Sequence, residues 1–272
     1  MTTALALKGK KELTELEQAI LAETQDDVNA FDYIPTRIKF PSGDVNAFIT
    51  NDGDMLKPPF TAIIAVSQKA RAFWPNKDTQ GIPPLCASPD GVRGWFDTES
   101  DQAKDAALLH VKHPALGKLD NGGPYDCARC PLAQWGSGDG RGQACKSLRR
   151  LMVLVDGWSM PAILTVPPTS IKALDFYASA RARTRGQSYF TTWTEFGLSE
   201  KKSDSTNIKY KVLTLTPGRA LDEAETAEVI AIRHQYAQMV RELGITGEDY
   251  DTGGDIVEQS VEPDSDEEIA PF

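Results

Sequence analysis

Residues 150–183, RLMVLVDGWSMPAILTVPPTSIKALDFYASARAR, place two apolar runs, a tight turn and a helical pattern in one stretch. Arg150 to Val155 and Met160 to Val166 flank Asp156-Gly157-Trp158-Ser159, which predicts a β-hairpin. Pro167-Pro168-Thr169-Ser170 then opens a helix to about Arg183, with Ser170 or Thr169 as its cap and Ile171, Leu174 and Ala178 recurring at helical spacing. Working outward, Thr61 to Ser67 reads as a strand. Tyr33 to Phe40 and Asp44 to Thr50 read as a hairpin around Pro41-Ser42-Gly43. A third pair, Tyr189 to Leu198 and Asn207 to Leu215, surrounds a polar loop at 199–206. Helices are expected over Lys11 to Glu23, with Leu13, Leu16, Ile20 and Leu21 on one side, and over Leu221 to Leu243. The second has Val229, Ile232, Tyr236, Met239 and Leu243 along one face and Asp222, Glu223 and Glu225 in its first turn, where they complement the dipole. Paired strands with one helix between the second and third pairs predict a mainly β chain with helices (α+β), built as an OB-like antiparallel barrel capped by that helix.

The chain has 272 residues and a formal net charge of −10, unevenly spread. Residues 247–272 carry ten acids and no Lys or Arg, which leaves 29 acids against 29 bases in residues 1–246. The body is therefore neutral overall and can still carry a basic groove. The tail has too little apolar surface to offset its ordering entropy, so 247–272 is expected to be a disordered acidic segment. No apolar run approaches the length that spans a bilayer, and the N-terminal residues lack the long apolar core of a signal peptide, so a cytoplasmic protein is expected.

Four cysteines follow the spacing C-x40-C-x2-C-x14-C: Cys86, Cys127, Cys130 and Cys145. Cys127-Ala-Arg-Cys130 lies in a turn-rich stretch, the form of a zinc knuckle that aims two thiolates at one ion. Cys145 and Cys86 complete a closed, structural Zn²⁺ site, with His110 and His113 as alternative ligands for one position. Residues 76–147 are rich in Gly, Pro, Asp and Asn, and a metal can organise such an insertion without a large core of its own. A redox role fits less well, because Pro131 and the Gly-rich loop after it do not open the helix a redox CxxC precedes.

Several stretches interleave basic and aromatic residues, the combination that tracks a phosphate backbone and stacks bases. Lys69, Arg71 and Phe73 alternate on one strand face beside Trp74. Arg93 and Trp95 share a turn-rich loop. Arg149 follows the last cysteine, Trp158 sits beside a glycine, and Arg185 precedes Tyr189 and Phe190. Phe190, Trp193 and Phe196, placed in strands, fit a core better than a binding surface. No Walker A run, no GxSxG and no deaminase pattern is present, and the Gly-rich run 136–142 lies between two cysteines rather than between a strand and a helix, so no enzyme is expected.

The last residues, Asp264-Ser265-Asp266-Glu267-Glu268-Ile269-Ala270-Pro271-Phe272, form an acidic run ending in an apolar hook. This resembles the C-terminal tip of bacterial single-stranded DNA-binding proteins, an acidic segment ending in Ile-Pro-Phe, with Ala270 standing between Ile269 and Pro271 here. Zinc within the body resembles the replication single-strand binders of T-even phages. The resemblance implies a sequence-independent single-stranded DNA-binding protein of phage or bacterial type, acting in DNA replication and recombination. Its tip residues Asp266, Glu267, Glu268, Ile269, Pro271 and Phe272 would recruit replication or recombination enzymes. The alternatives are a zinc-bearing protein–protein adaptor without a DNA groove, and a nuclease whose acids are not distinctive.

Overall fold

The computed structural model describes residues 34–41, 45–75, 82–100, 103, 123–138, 142–202, 209–247 and 249, together with 14–16 and 19. The fold is mostly β-sheet with two long helices: an open sheet, not a closed barrel. Along its main path the order is β3 (Met55–Leu56), β2 (Phe48–Thr50), β1 (Thr36–Lys39), β9 (Ala162–Val166), β8 (Cys145–Val155), β4 (Phe60–Phe73), β5 (Cys86–Ser88), β6 (Arg93–Phe96) and β7 (Tyr125–Asp126). β10 (Thr192–Lys202) and β11 (Lys209–Ala220) form a ribbon joined to β4 at Phe60, Thr61 and Ala62. One edge of β4 thus takes β10 at its start and β5 at its end, while the other edge pairs with β8 along nearly its whole length.

The three expected hairpins form, as β1–β2, β8–β9 and β10–β11. The first joins the sheet through β1 lying parallel to β9, a connection that an all-antiparallel barrel does not contain. β4 and β8 run further than their apolar cores suggest, because the polar residues Gln68 to Arg71 and Lys146 to Arg149 continue the same ladder. The expected helix at 11–23 falls almost wholly outside the described residues; Glu15, Leu16 and Ala19 are helical.

A β-bulge at Ala65 sets the faces. Before it, Ala62 and Ile64 share a face with Val153 and Val155. After it, Ser67, Lys69, Arg71 and Phe73 hold that face, because the extra residue shifts the alternation by one. Ala65 and Val66 both turn to the other side. Arg233 donates to the Ala65 carbonyl, which meets the hydrogen-bonding need of the interrupted ladder, and lies over the Phe190 ring at 4.1 Å.

Helix α1 (Pro168–Ala182) covers the first face, where Leu174 and Tyr177 pack with Leu151, Val153, Leu164, Phe60 and Phe196. Its N-cap is Pro167, with proline at the first helical position, and not Ser170 or Thr169. Ser170 is fully buried, and its hydroxyl instead accepts from the Leu213 N–H at 3.0 Å, tying α1 to β11. Helix α2 (Glu223–Glu242) covers the opposite face with all five residues expected on its apolar side. Asp222 and Glu225 form a reciprocal capping box at its start.

At the far end of α2 the fully buried Arg150 donates to the carbonyls of Val240, Leu243 and Gly244, satisfying acceptors a helix end leaves open. Burial pushes its guanidinium pKa down, against the pull of Asp249. Asp249 is ion-paired with Arg37, accepts from Thr165 at 3.1 Å and from the Thr246 N–H at 2.8 Å, and is 1% exposed. The acidic segment expected from 247 is therefore corrected at its root: Asp249 belongs to the folded body. Residues 250–272 lie outside the described residues.

Candidate metal centre and nucleic-acid interface

β5, β6, β7 and the short 3-10 turn Pro131–Ala133 build a second, smaller core at the end of β4, with Phe73, Leu85, Phe96 and Leu132 at its centre. All four cysteines border one small closed cavity there, with about 10 Å³ of room for the centre of a water-sized body. Cys86 begins β5 and Cys145 begins β8, each paired with Phe73 in the sheet. Cys127 and Cys130 sit in the turn after β7, shaped by Asp126, whose carboxylate accepts from the Ala128 N–H at 2.9 Å. Among the described residues no group of three or more His, Cys, Asp or Glu side chains is placed to hold a metal ion. His110 and His113 lie outside them.

The donor chemistry nonetheless fits a thiophilic ion. Gly94 lies against two of the sulfurs: a Cβ there would stand 3.1 Å from Cys86 Sγ and 3.5 Å from Cys127 Sγ. Burial, with the neighbouring cysteines, pushes the Cys86 thiol far up, and burial pushes Cys145 up to about 12. Such thiols stay neutral unless a cation compensates them, and a bound metal deprotonates its thiol ligands outright.

Next to this cavity an open groove of about 380 Å³ runs between the β5–β6 turn and α1, lined by Lys69, Arg71, Arg149, Gly91 and Ile171 among others. The β4–β8 register puts Lys69 opposite Arg149 and Arg71 opposite Ser147, all on one sheet face. Gly91, at φ +73°, brings the β5–β6 turn down onto Lys69, and a Cβ there would come within 3.0 Å of Lys69 Cβ. The Asp90 carboxyl shapes this turn by accepting from Val92, Arg93 and Ser88. Although burial alone would raise its pKa, these bonds hold it below the usual carboxylate range. Arg149 is partly engaged by Asp175 at 2.9 Å, and Asp126 also borders the groove.

Lys69, Arg71 and Arg149 are therefore brought together; the other expected contacts are not. Phe73 and Trp74 are corrected to core residues, 3% and 8% exposed, on opposite faces of the strand end, and neither offers a ring to a base. The Trp74 indole N–H is spent on the Ile82 carbonyl at 3.0 Å. Arg93 and Trp95 are exposed, but Trp95 pairs with Ala87, which pairs with Ala72, and so lies on the opposite face from Lys69 and Arg71. Trp158 packs half-buried against the main core, and Arg185 is exposed in the turns after α1. The tip residues Asp266 to Phe272 lie outside the described residues. Sequence reading missed Gly94, Ser88 and Tyr125, which share the cysteine cavity. Gly94 was findable as the one residue between Arg93 and Trp95 too small to fill an inward strand position.

No family model, no curated protein and no solved structure matches this chain.

Proposed function

We propose that this chain is a sequence-independent single-stranded DNA-binding protein of replication or recombination, with a structural zinc in its body and a partner-recruiting acidic tail. The observation that carries the reading is the convergence of Lys69, Arg71 and Arg149 on one open groove. Among the described residues the groove's lining contains no aromatic side chain, so the contacts proposed there are to phosphates and carry no base preference. The tail's resemblance to the tips of single-strand binders supports single-stranded over duplex DNA and supports recruitment of enzymes through Ile269, Pro271 and Phe272. The OB-like reading is part of the same proposal. What supports it is the long bulged β4, lending its two ends to different partners as a strand does at a barrel corner, with α1 between strand pairs.

Cys86, Cys127, Cys130 and Cys145 would hold the zinc, and the four thiolates leave no open position for substrate. When bound, the ion supplies cross-linking alone. Held by these four side chains, it would link β5, the β7 turn and β8 beside the groove.

Fluorescence anisotropy with labelled oligo-dT tests the function. Saturable binding is expected, with a log–log salt slope of about −2 for three single-strand phosphate contacts. Binding is expected to strengthen when the chain is cut after Tyr250, which removes nearly all of the acidic tail while keeping Asp249 in place. Absence of binding at low salt favours the adaptor reading, and Mg²⁺-dependent cleavage favours the nuclease.

A further inference from the structure

Arg71 borders both the four-thiol cavity and the groove. Its strand neighbours are Ser88 on β5 and Ser147 on β8, neither an anion. Its Nη1 is buried without a hydrogen-bond partner, and among the described residues no carboxylate pairs with it. A buried guanidinium nitrogen without an acceptor is costly, so Nη1 can take one further acceptor. Cys127, Cys130 and Cys145 line the cavity that Arg71 borders. Four thiolates around a divalent ion form an anionic centre, and such a centre beside a phosphate groove repels phosphate unless a cation stands between them.

We propose that Arg71 serves both sites at once, offsetting the charge of the metal–thiolate cluster on one side and contacting phosphate on the other. This rests on the zinc and DNA-binding readings above. It separates Arg71 from Lys69 and Arg149, which face the groove without lining the thiol cavity. Removing Arg71 should therefore change two properties, and removing Lys69 only one.

The test uses the full chain, isolated with its metal, and reads two quantities: the rate of zinc transfer to a chromophoric chelator and the affinity for labelled oligo-dT. Arg71→Met is expected to speed zinc transfer on the order of tenfold, as outer-shell partners of metal ligands do, and to weaken oligo-dT binding severalfold. Lys69→Met is expected to weaken oligo-dT binding and leave zinc transfer at the wild-type rate. Arg71→Lys, which keeps the charge but loses the fork, should return both readouts toward wild type. Arg71→Gln carries the test if Arg71→Met does not fold, with circular dichroism as the check. Zinc transfer at the wild-type rate in the charge-removing variants, or unchanged oligo-dT affinity in them, overturns the dual role. Wild-type protein without zinc by elemental analysis overturns the metal reading and this role together; zinc-loaded protein that ignores oligo-dT overturns the function while leaving the metal site standing.

Discussion

The two ends of β4 are held by different means. At its start, Phe60, Ala62 and Ile64 lie in a core of fifteen buried residues, with α1 over that face and α2 over the other. At its end, Phe73 joins a cluster of six, two of them cysteines, flanked by strands of two to four residues. An apolar core of the first size stabilises a sheet by burial alone, whereas short strands around a small core need a cross-link. The same strand thus runs from a hydrophobically stabilised half into a half that, on the zinc reading, would depend on its thiols for order, and the basic groove lies next to the thiol cavity.

Metal removal should break this comparison most forcibly. Prolonged chelation is expected to abolish amide-exchange protection in β5, β6 and the Cys127–Ala133 turn. Protection in β9 and the first half of β4 should persist, and uniform loss across both halves would show that the ends are one cooperative unit. Next in size, Asp249→Ala leaves Arg37 buried without its counter-charge and should cost about 3–5 kcal/mol of global stability by denaturant titration. A change under 1 kcal/mol would mean that water reaches the pair. Leu164→Ala, in the large core, should cost about 2–5 kcal/mol while zinc content stays at wild type. Gly94→Ala should do the reverse, weakening zinc retention on the order of tenfold with little change in the unfolding of the helix-covered half.

The smallest effect concerns acid stability at the start of α2. The side-chain hydrogen bond from Arg219 holds Glu225 below the usual carboxylate range, against the upward push of burial. A depressed folded-state pKa contributes stability that is present above the unfolded pKa of about 4.3 and lost as pH falls through the folded value. Arg219→Met should therefore flatten the stability–pH curve below about pH 4.3, by under about 1 kcal/mol since the pair is partly solvated. An unchanged curve would show that the capping box alone fixes that turn.

What could be read from the sequence followed how local its physical cause is. The 150–166 hairpin and the apolar face of α2 were legible because the turn residues and the 3.6-residue period lie within a few positions of each other. The cysteine set was legible from its CxxC, and the shared face of Lys69, Arg71 and Phe73 from simple alternation. Trp74 was not legible as core: what buries it includes Leu148 and Ile245, and its N–H partner is the Ile82 carbonyl, eight positions on. Asp249 read as one more tail acid because the arginine that claims it lies 212 positions away. β5 to β7 were hidden because strands this short leave no periodic signal in a Gly- and Pro-rich stretch. Neither the open sheet, in place of a closed barrel, nor the pairing of β1 alongside β9 is encoded in any local pattern, because both are set by contacts between distant residues.

The proposed DNA binding turns on whether the basic groove holds phosphates. Oligo-dT anisotropy across a salt series, comparing wild type with Lys69→Glu/Arg149→Glu at equal zinc content, addresses it most directly. Wild-type binding with a log–log salt slope of about −2 and at least a hundredfold loss in the double variant are expected; equal affinity and equal slope in the two proteins would contradict phosphate binding in the groove.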